Sequence, residues 1–593
     1  VQEKLRALKQ LLPNCVSDGT FDVDRLREFL GAQGSTPDPS RYGLSWAGRE
    51  KIALSEPSGL ALAPSMEDSV NFDATDNLFI EGDNLEVLKL LQKSYYEKVK
   101  MIYIDPPYNT GKDFLYNDRL RSDPGAYLEQ SGQARDGIKL TGNPDTSGRY
   151  HSDWLSMMYP RLYLARNLLR QDGVIYVSID DHEVHNLMLI MHDIFGETNF
   201  VANLIWQKKN SPQNDEQKIS TTHDYVLAYA KDITKYRCRL LPRTEKQLQK
   251  YTNPDDDPRG PWCPGDLSSK TKARGHSYEV TSPTGKKFLP PKTRQWAYAK
   301  SRFDKMLAEG RIYFGRDNNA APKVKQFLSE VREGVIPTSV MLSREVGSTT
   351  DAIREIHSLG LHFDSPKPVS LIQHLINITT NDGIIMDFFA GSGTTAHAVL
   401  DLNIADGGSR KYICVQIPEL IEDSAKHSDA VDALKRLGRP LNIAEIAKER
   451  IRRAMGGTGA TAPGFKVFKL ARSNYRAWDE GTQEVGKLRE QLRLFASPLV
   501  EGYRDADVLY ECLLKEGYSL NCRLDAMPAI RTNNVQKATE GRRDTYITLD
   551  RTLRQETLDA LQVKKNDVLI CLDSAMTDTQ KLNLSRQCDL KVI

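Results

Sequence analysis

Several features are scarce in this sequence, and each scarcity excludes something. The eight cysteines among 593 residues (Cys15, Cys238, Cys263, Cys414, Cys512, Cys522, Cys571 and Cys588) form no C-x-x-C pair, so neither a zinc ribbon nor a disulfide framework is indicated, and a reducing setting is expected. No uninterrupted apolar run approaches the ~18 residues of a membrane span, and the opening Val1-Gln2-Glu3-Lys4 lacks the apolar core of a secretion signal. The expectation is a cytoplasmic protein with no membrane partner. Internal repeats are absent, and no cysteine or histidine spacing calls for a metal. What remains is ordinary globular composition, with 39% hydrophobic and 27% charged residues in a chain long enough to bury a large core.

Net charge is also small, at +2, but it is unevenly distributed. Residues 241–340 hold 19 Lys and Arg against 11 Asp and Glu, and the stretch 258–302 carries ten basic and two acidic residues. Trp262, Tyr278, Phe288, Trp296 and Tyr298 are interleaved with them. Basic and aromatic residues so mixed point to a nucleic-acid face, with Lys270, Lys272, Arg274, Lys286, Lys287 and Arg294 as candidate DNA contacts. The plainer alternative is a solvated loop surface that happens to be basic.

Hydrophobic periodicity divides the chain into five stretches. Residues 1–70 read as an N-terminal arm, helical at Leu5 to Leu12 and Val23 to Leu30 and then rich in Pro, Gly and Ser. Over 71–231, strand-like runs (Leu78 to Ile80, Val99 to Ile104, Val174 to Ile179) alternate with helical ones, and Asp118 to Ser152 has the composition of a long surface loop. Two further strands, about Val201 to Trp206 and Tyr225 to Tyr229, fit an antiparallel pair at the sheet edge. The basic segment 232–345 interrupts the alternation, which resumes over 346–460 and ends near the Gly-rich Gly456-Gly457-Thr458-Gly459. Residues 461–593 read as a small α/β unit. Strands alternating with helices predict one mostly parallel, Rossmann-like α/β sheet built from two separated stretches.

Two motifs carry chemistry. The apolar strand Ile384 to Met386 runs into Asp387-Phe388-Phe389-Ala390-Gly391-Ser392-Gly393-Thr394-Thr395 and then a helix. Gly391 and Gly393 allow the backbone close to a ligand, and the N–H groups of the new helix face it. Alone the loop is ambiguous: it fits the dinucleotide pattern G-x-G-x-x-A and lacks the Lys of a P-loop. Glu419, ending the next strand-like run, suits ribose hydroxyls. The second motif, Asp105-Pro106-Pro107-Tyr108, ends the strand Val99 to Ile104. Its prolines fix the backbone and remove two N–H donors, leaving carbonyls, a carboxylate and an aromatic ring to face one pocket. Such a pocket suits a planar amine, which donates two hydrogens and offers a flat face for stacking.

Together, Asp105-Pro106-Pro107-Tyr108 and Phe389-x-Gly391-x-Gly393 resemble the paired signatures of amino-group DNA methyltransferases that use S-adenosylmethionine. The motif order, with a basic insertion between the two, is similar to the family's circularly permuted beta class. Gly82-Asp83-Asn84, Lys208-Lys209-Asn210, Asp364-Ser365-Pro366-Lys367-Pro368, Val415 to Glu419 and Gly464-Phe465-Lys466-Val467-Phe468 extend the resemblance over nearly the whole chain, to the modification subunits of type III restriction-modification systems.

That resemblance implies a target recognition domain in the insertion and adenine N6 as the methylated atom, reached by flipping the base out of duplex DNA. It makes Asp105, Pro106, Pro107 and Tyr108 the catalytic motif. Asp387, Phe389, Gly391 and Gly393 would hold the cofactor, Glu419 its ribose, Asp83 the edge of its adenine, and Lys367 its methionine end. Asp83 suits a helix cap almost as well. Double-stranded DNA, a second copy of the chain and a helicase-nuclease restriction subunit are the implied partners. Three competing readings stay open at this point: cytosine N4 methylation, a non-catalytic DNA-recognition subunit for a partner nuclease, and a nicotinamide dehydrogenase. The last leaves Asp105 to Tyr108 and the basic insertion without a use.

Overall fold

The computed structural model describes residues 16–17, 20–21, 44–46, 49, 59–111, 114–115, 141–142, 150–212, 219–270, 276–424, 427–456, 463–476, 498–540 and 543–593. The helices expected at Leu5 to Leu12 and Val23 to Leu30, nearly all of the polar stretch 118–149, and Lys272 and Arg274 lie outside them. The chain forms two compact units, residues 1–237 with 338–593, and residues 238–337.

The first unit is organised by a ten-stranded sheet. Its strands in chain order are β1 (Leu60–Val70), β2 (Leu78–Glu81), β3 (Val99–Ile104), β4 (Leu169–Ile179), β5 (Phe200–Gln207), β6 (His223–Ala230), β7 (Val340–Met341), β8 (Asp382–Asp387), β9 (Ser409–Gln416) and β10 (Phe465–Arg472). Across the sheet they run β7-β5-β6-β4-β3-β8-β9-β2-β10-β1. From β4 through β10 all neighbours are parallel, whereas β6 pairs antiparallel with both β4 and β5. The parallel centre explains the near-continuous apolar runs of β3 and β8: strands covered on both faces have no solvent side to alternate with. The main helices are α1 (Asn84–Tyr95), α2 (Tyr150–Leu168), α3 (Val184–Phe195), α4 (Val369–Asn377), α5 (Thr394–Asp406), α6 (Ile443–Ala454) and α7 (Asp505–Glu516). They pack as two groups, α1 with α2 and α7 and α2 with α3, and separately α5 with α4 and α6.

Two expected boundaries move. The arm 1–70 gives up its last eleven residues to the sheet, because β1 pairs antiparallel with β10. The catalytic stretch likewise does not end at 460, since β10 lies between β2 and β1. A buried ion cluster ties this corner together: Lys448 Nζ on α6 lies 2.7 Å from Glu445, 2.9 Å from Glu81 and 3.3 Å from Asp68. The three carboxylates could converge on a metal ion, but the Lys448 ammonium already supplies the positive charge there.

Beyond β10, a five-stranded sheet (Arg523–Ala526, Gln536–Glu540, Arg543–Ile547, Val568–Cys571, Asp589–Val592) shares one hydrophobic core with the catalytic sheet. Leu520 N–H donates to the Tyr95 hydroxyl at 3.0 Å, and Lys98 pairs with Glu540 at 2.8 Å. Residues 461–593 are thus built onto the catalytic unit. No described helix is long and apolar enough to cross a membrane.

The second unit holds a three-stranded antiparallel sheet (Trp262–Gly265, Lys323–Phe327, Ile312–Tyr313) and the helix Lys300–Ala308. Its core is Leu267, Val280, Trp296, Phe303, Ile312, Phe314 and Val324, with Tyr278, Phe288 and Tyr298 packed against it. The aromatics expected on a nucleic-acid face thus also take part in this unit's packing, with Tyr278, Phe288 and Tyr298 half-buried. Trp262 and Trp296 are buried, and Trp262 meets Tyr313 edge-on at 4.8 Å. A unit of about 100 residues needs such large side chains to cover its core.

Candidate active site

Both motifs end at one crevice. β3 and β8 are parallel neighbours, with Met386 opposite Ile102, so Asp105 and Asp387 leave adjacent strands at the same end. The chain continues from β3 to β4 on one side and from β8 to β9 on the other. That reversal of strand order is where open α/β sheets take ligands.

The loop after β8 is fixed from several directions. Asp387 Oδ1 accepts from Phe389 N–H at 3.0 Å, and Oδ2 accepts from the Thr395 hydroxyl at 2.5 Å. Burial, aided by the neighbouring Asp105 charge, pushes the Asp387 carboxyl up to about 7. Gly391 and Gly393 have φ of 53° and 79°, the left-handed region that L side chains rarely adopt. A Cβ on Gly393 would also lie 3.2 Å from the Ala447 carbonyl oxygen. Gly391 N–H donates to Gln416 Oε1 at 2.7 Å, while Arg450 reaches Ser392 Oγ and Thr394 Oγ1, both at 2.8 Å. α5 starts at Gly393 without a side-chain cap, so its first N–H groups have no cap competing for them. Nothing in the sequence distinguished Arg450 or Gln416 from ordinary helix and strand residues.

Of the remaining cofactor candidates, Glu419 follows β9 half-buried, with its carboxyl raised by burial. Asp83 is a helix cap: Oδ1 accepts from Leu85 and Glu86 N–H at 2.9 and 3.1 Å, and Oδ2 meets the buried Arg161 at 3.4 Å. Lys367 does not stand apart from the catalytic motif. Its Nζ donates to Asp105 Oδ2 at 2.5 Å and lies 5.1 Å from the centre of the Tyr108 ring.

Around Asp105 the polar groups are closely packed. Asp105 Oδ1 is buried without a hydrogen-bond partner, and so is the Tyr108 hydroxyl. Burial, reinforced by the Asp105 charge, raises that hydroxyl well above its ordinary value, so the ring stays neutral. Trp154 Nε1 donates to the Pro107 carbonyl at 2.8 Å, and Asn109, in the left-handed region at φ 62°, donates to Glu183 at 2.6 Å. These contacts hold the turn rigid. Two further groups come from the antiparallel strands. Trp206 on β5 places its ring 5.9 Å from Lys367 Nζ, and Asp224 on β6 pairs with Lys208 at 2.6 Å. Burial raises the Asp224 carboxyl against the opposing charges of Lys208 and Lys367. Trp206 was legible only as a strand residue, because its role depends on β5 reaching the crevice.

In the second unit, Lys270, Lys286 and Lys287 are exposed, and Arg294 is half-buried. Lys287 pairs with Glu279 at 2.9 Å and Arg294 with Asp266 at 2.6 Å. Such exposed pairs are weak, each worth about 0–1 kcal/mol, so phosphate groups can replace the acids.

A family model described as DNA methylase matches residues 99–427, which spans both motifs. The chain is 36% identical over 484 residues to the StyLTI Mod subunit, a type III restriction-modification enzyme subunit of Salmonella typhimurium, covering 78% of this chain and 72% of that one. It is 32% identical to the EcoP15I Mod subunit of Escherichia coli, covering 81% and 79%, and 33% identical to the EcoPI Mod subunit of Escherichia phage P1, covering 79% and 77%. The chain belongs to the DNA methylase family. Within it, this methylase is similar along most of its length to type III modification subunits. The loop also fits an adenosyl cofactor, because two left-handed glycines keep side chains off its wall.

Proposed function

We propose that this methylase transfers the methyl group of S-adenosylmethionine to the N6 amino nitrogen of an adenine flipped out of duplex DNA. The observation carrying this reading is Asp105: a carboxylate with one buried oxygen that no well-formed hydrogen bond satisfies, facing the Tyr108 hydroxyl. A buried acceptor left empty costs about 1–3 kcal/mol, and an incoming amine removes that cost.

Asp387, Phe389, Gly391, Gly393 and Glu419 would hold the cofactor, which when bound supplies a methyl group on cationic sulfur. The chain's own residues act on the amine. Its lone pair is delocalised into the base, and accepting its two hydrogens at Asp105 and the Pro106 carbonyl turns electron density back toward nitrogen. Tyr108 stacks on the flipped ring and stays neutral while doing so. Fixed acceptors aimed at the reacting atom are preorganised electrostatic catalysis. Lys270, Lys286, Lys287 and Arg294, together with Lys272 and Arg274, would contact DNA, and binding should then weaken steeply as salt rises.

As the modification subunit of a type III system, the protein would work in the cytoplasm, as a dimer, beside a helicase-nuclease restriction subunit. Mass spectrometry of nucleosides tests the chemistry. Unmethylated duplex DNA of diverse sequence, incubated with protein and S-adenosylmethionine, should yield N6-methyladenine, and Asp105→Ala should yield none. N4-methylcytosine would change the base assigned; full activity in Asp105→Ala would overturn the mechanism.

A further inference from the structure

The catalytic turn leans on a helix that contains a proline. α2 brings Trp154 Nε1 to the Pro107 carbonyl at 2.8 Å and the Tyr150 hydroxyl to the Asn109 carbonyl. It also brings His151 to Glu183 at 2.6 Å, on the oxygen to which Asn109 donates. These three supports all precede Pro160. Pro160 has no N–H, so the Ser156 carbonyl one turn earlier lacks its helical donor, and the proline ring crowds that carbonyl. The half beyond the proline is anchored separately: the buried Arg161 donates to Asn84 Oδ1 at 2.6 Å and meets Asp83 at 3.4 Å. α2 thus has a weak joint between the half that supports the catalytic turn and the half that meets the Asp83 turn.

A piece of the N-terminal arm sits on that joint. Trp46 is buried, and its Nε1 donates at 2.9 Å to Oγ of Ser156, the residue whose carbonyl lacks its helical donor. That hydroxyl donates in turn to the Ser152 carbonyl at 2.7 Å, continuing the chain toward His151 and Tyr150. The Trp46 ring lies 5.4 Å from the Tyr159 ring, and Arg49 covers both, 5.1 and 5.3 Å from their centres. Arg49 also donates to Asp193 on α3 at 2.8 Å, on the oxygen that accepts from the Tyr159 hydroxyl at 3.0 Å. Ser156 and Tyr159 both lie on the catalytic side of Pro160.

We propose that Trp46 and Arg49 are positioning residues for methyl transfer: they brace the front half of α2 at its proline joint, and through it hold the turn of Asp105 to Tyr108 against the base. This rests on the methylation reading and extends it to residues outside the catalytic sheet. Because the brace acts on one half of α2 only, it separates two properties. The rate of methyl transfer depends on it, whereas cofactor affinity, set by the glycine loop and the Asp83 side, does not.

The test uses the full-length protein, a duplex carrying a site mapped by methylation, and sinefungin, an unreactive analogue of the cofactor. Trp46→Ala should slow single-turnover methylation at saturating DNA and S-adenosylmethionine by between about ten- and a hundredfold, the range expected for a displaced reacting group, while sinefungin affinity by calorimetry stays within about twofold. Trp46→Phe, which keeps a ring beside Tyr159 but not the N–H, should lose less. Pro160→Ala restores the missing helical donor, so Trp46→Ala should slow the Pro160→Ala protein by a smaller factor than it slows the wild type. A contact that only docks the arm would give no such coupling.

Full rate in Trp46→Ala, or the same loss with and without Pro160, would overturn the brace. So would a parallel loss of rate and sinefungin affinity in Trp46→Phe, since the cofactor side would then depend on the arm equally. If Trp46→Ala does not fold, Ser156→Ala, which removes only the hydrogen bond at the joint, decides by the same two measurements. Absence of N6-methyladenine from the wild type would remove the methylation reading itself, whereas a methylating wild type with indifferent Trp46 variants removes only the brace.

Discussion

The cofactor loop allows a graded test, because its two left-handed glycines are crowded to different degrees. At Gly391 (φ 53°) the atom nearest an added Cβ is Phe363 Cζ at 3.5 Å, an ordinary contact with a side chain that can turn. Gly391→Ala then costs only the left-handed backbone, about 1–2 kcal/mol, less the 0.4–1 kcal/mol regained by stiffening the unfolded chain. Its net destabilisation should be about 1 kcal/mol. At Gly393 (φ 79°) the backbone term is the same, but the new methyl meets the Ala447 carbonyl oxygen at 3.2 Å, and a carbonyl within α6 cannot rotate away. Separating α5 from α6 adds an overpacking cost of about 1–3 kcal/mol. Gly393→Ala should therefore be less stable than Gly391→Ala by at least about 1 kcal/mol. It should also bind sinefungin more weakly, since Arg450 on α6 bonds the loop hydroxyls of Ser392 and Thr394. Urea unfolding without cofactor, following the transition of the catalytic sheet in both variants, gives the difference; calorimetry gives the affinity. Equal stabilities, or a Gly393→Ala that is the more stable of the two, would refute the assignment of that glycine to close packing.

Three other outcomes follow from the charges and the pocket wall. Asp387 has a folded value of about 7 against 3.8 in the unfolded chain, so between these values the folded state holds the extra proton and stability declines as pH rises. Its contribution is at most about 1.4 kcal/mol per pH unit over that window. In Asp387→Asn, the difference in unfolding free energy between pH 5 and pH 7.5 should shrink accordingly, and an unchanged difference would refute the burial argument. Lys448→Met leaves Glu81, Glu445 and Asp68 facing one another without their buried cation, and should cost about 3–5 kcal/mol by urea unfolding; a neutral effect would mean the carboxylates protonate freely. Trp206→Ala removes one aromatic wall of the pocket, so the methylation rate should fall while sinefungin affinity, measured by calorimetry, stays the same; a parallel loss of both would place Trp206 on the cofactor side.

Local chemistry was legible in the sequence wherever one short stretch contains it. Asp105-Pro106-Pro107-Tyr108 needs no distant residue to be recognised, and neither does the strand, glycine loop and helix from Ile384 onward. The sheet was readable for the same reason, since apolar runs between amphipathic helices have few other folds available. What failed was addition of elements at the margins. β1 was absorbed into the arm because Pro64, Ser65 and the acidic Glu67 and Asp68 break its pattern, and only its pairing with β10 makes it a strand. The aromatic residues of the insertion were ambiguous for a different reason: basic residues interleaved with rings describe both a nucleic-acid face and a small core wrapped in charge, and sequence order cannot tell inside from outside.

The assignment of Lys367 shows where such reading stops. From sequence, a lysine between two prolines ahead of a helix has no preferred partner, and the family resemblance sent it to the cofactor. The fold brings three acids within its electrostatic reach from three strand ends: Asp105 after β3, Asp224 on β6 and Asp387 at the end of β8. Their order in the sheet, β6-β4-β3-β8, is a tertiary fact with no trace in the chain. Two of those acids are already engaged by Lys208 and by Thr395, so the ammonium pairs with one oxygen of the third and leaves the other open.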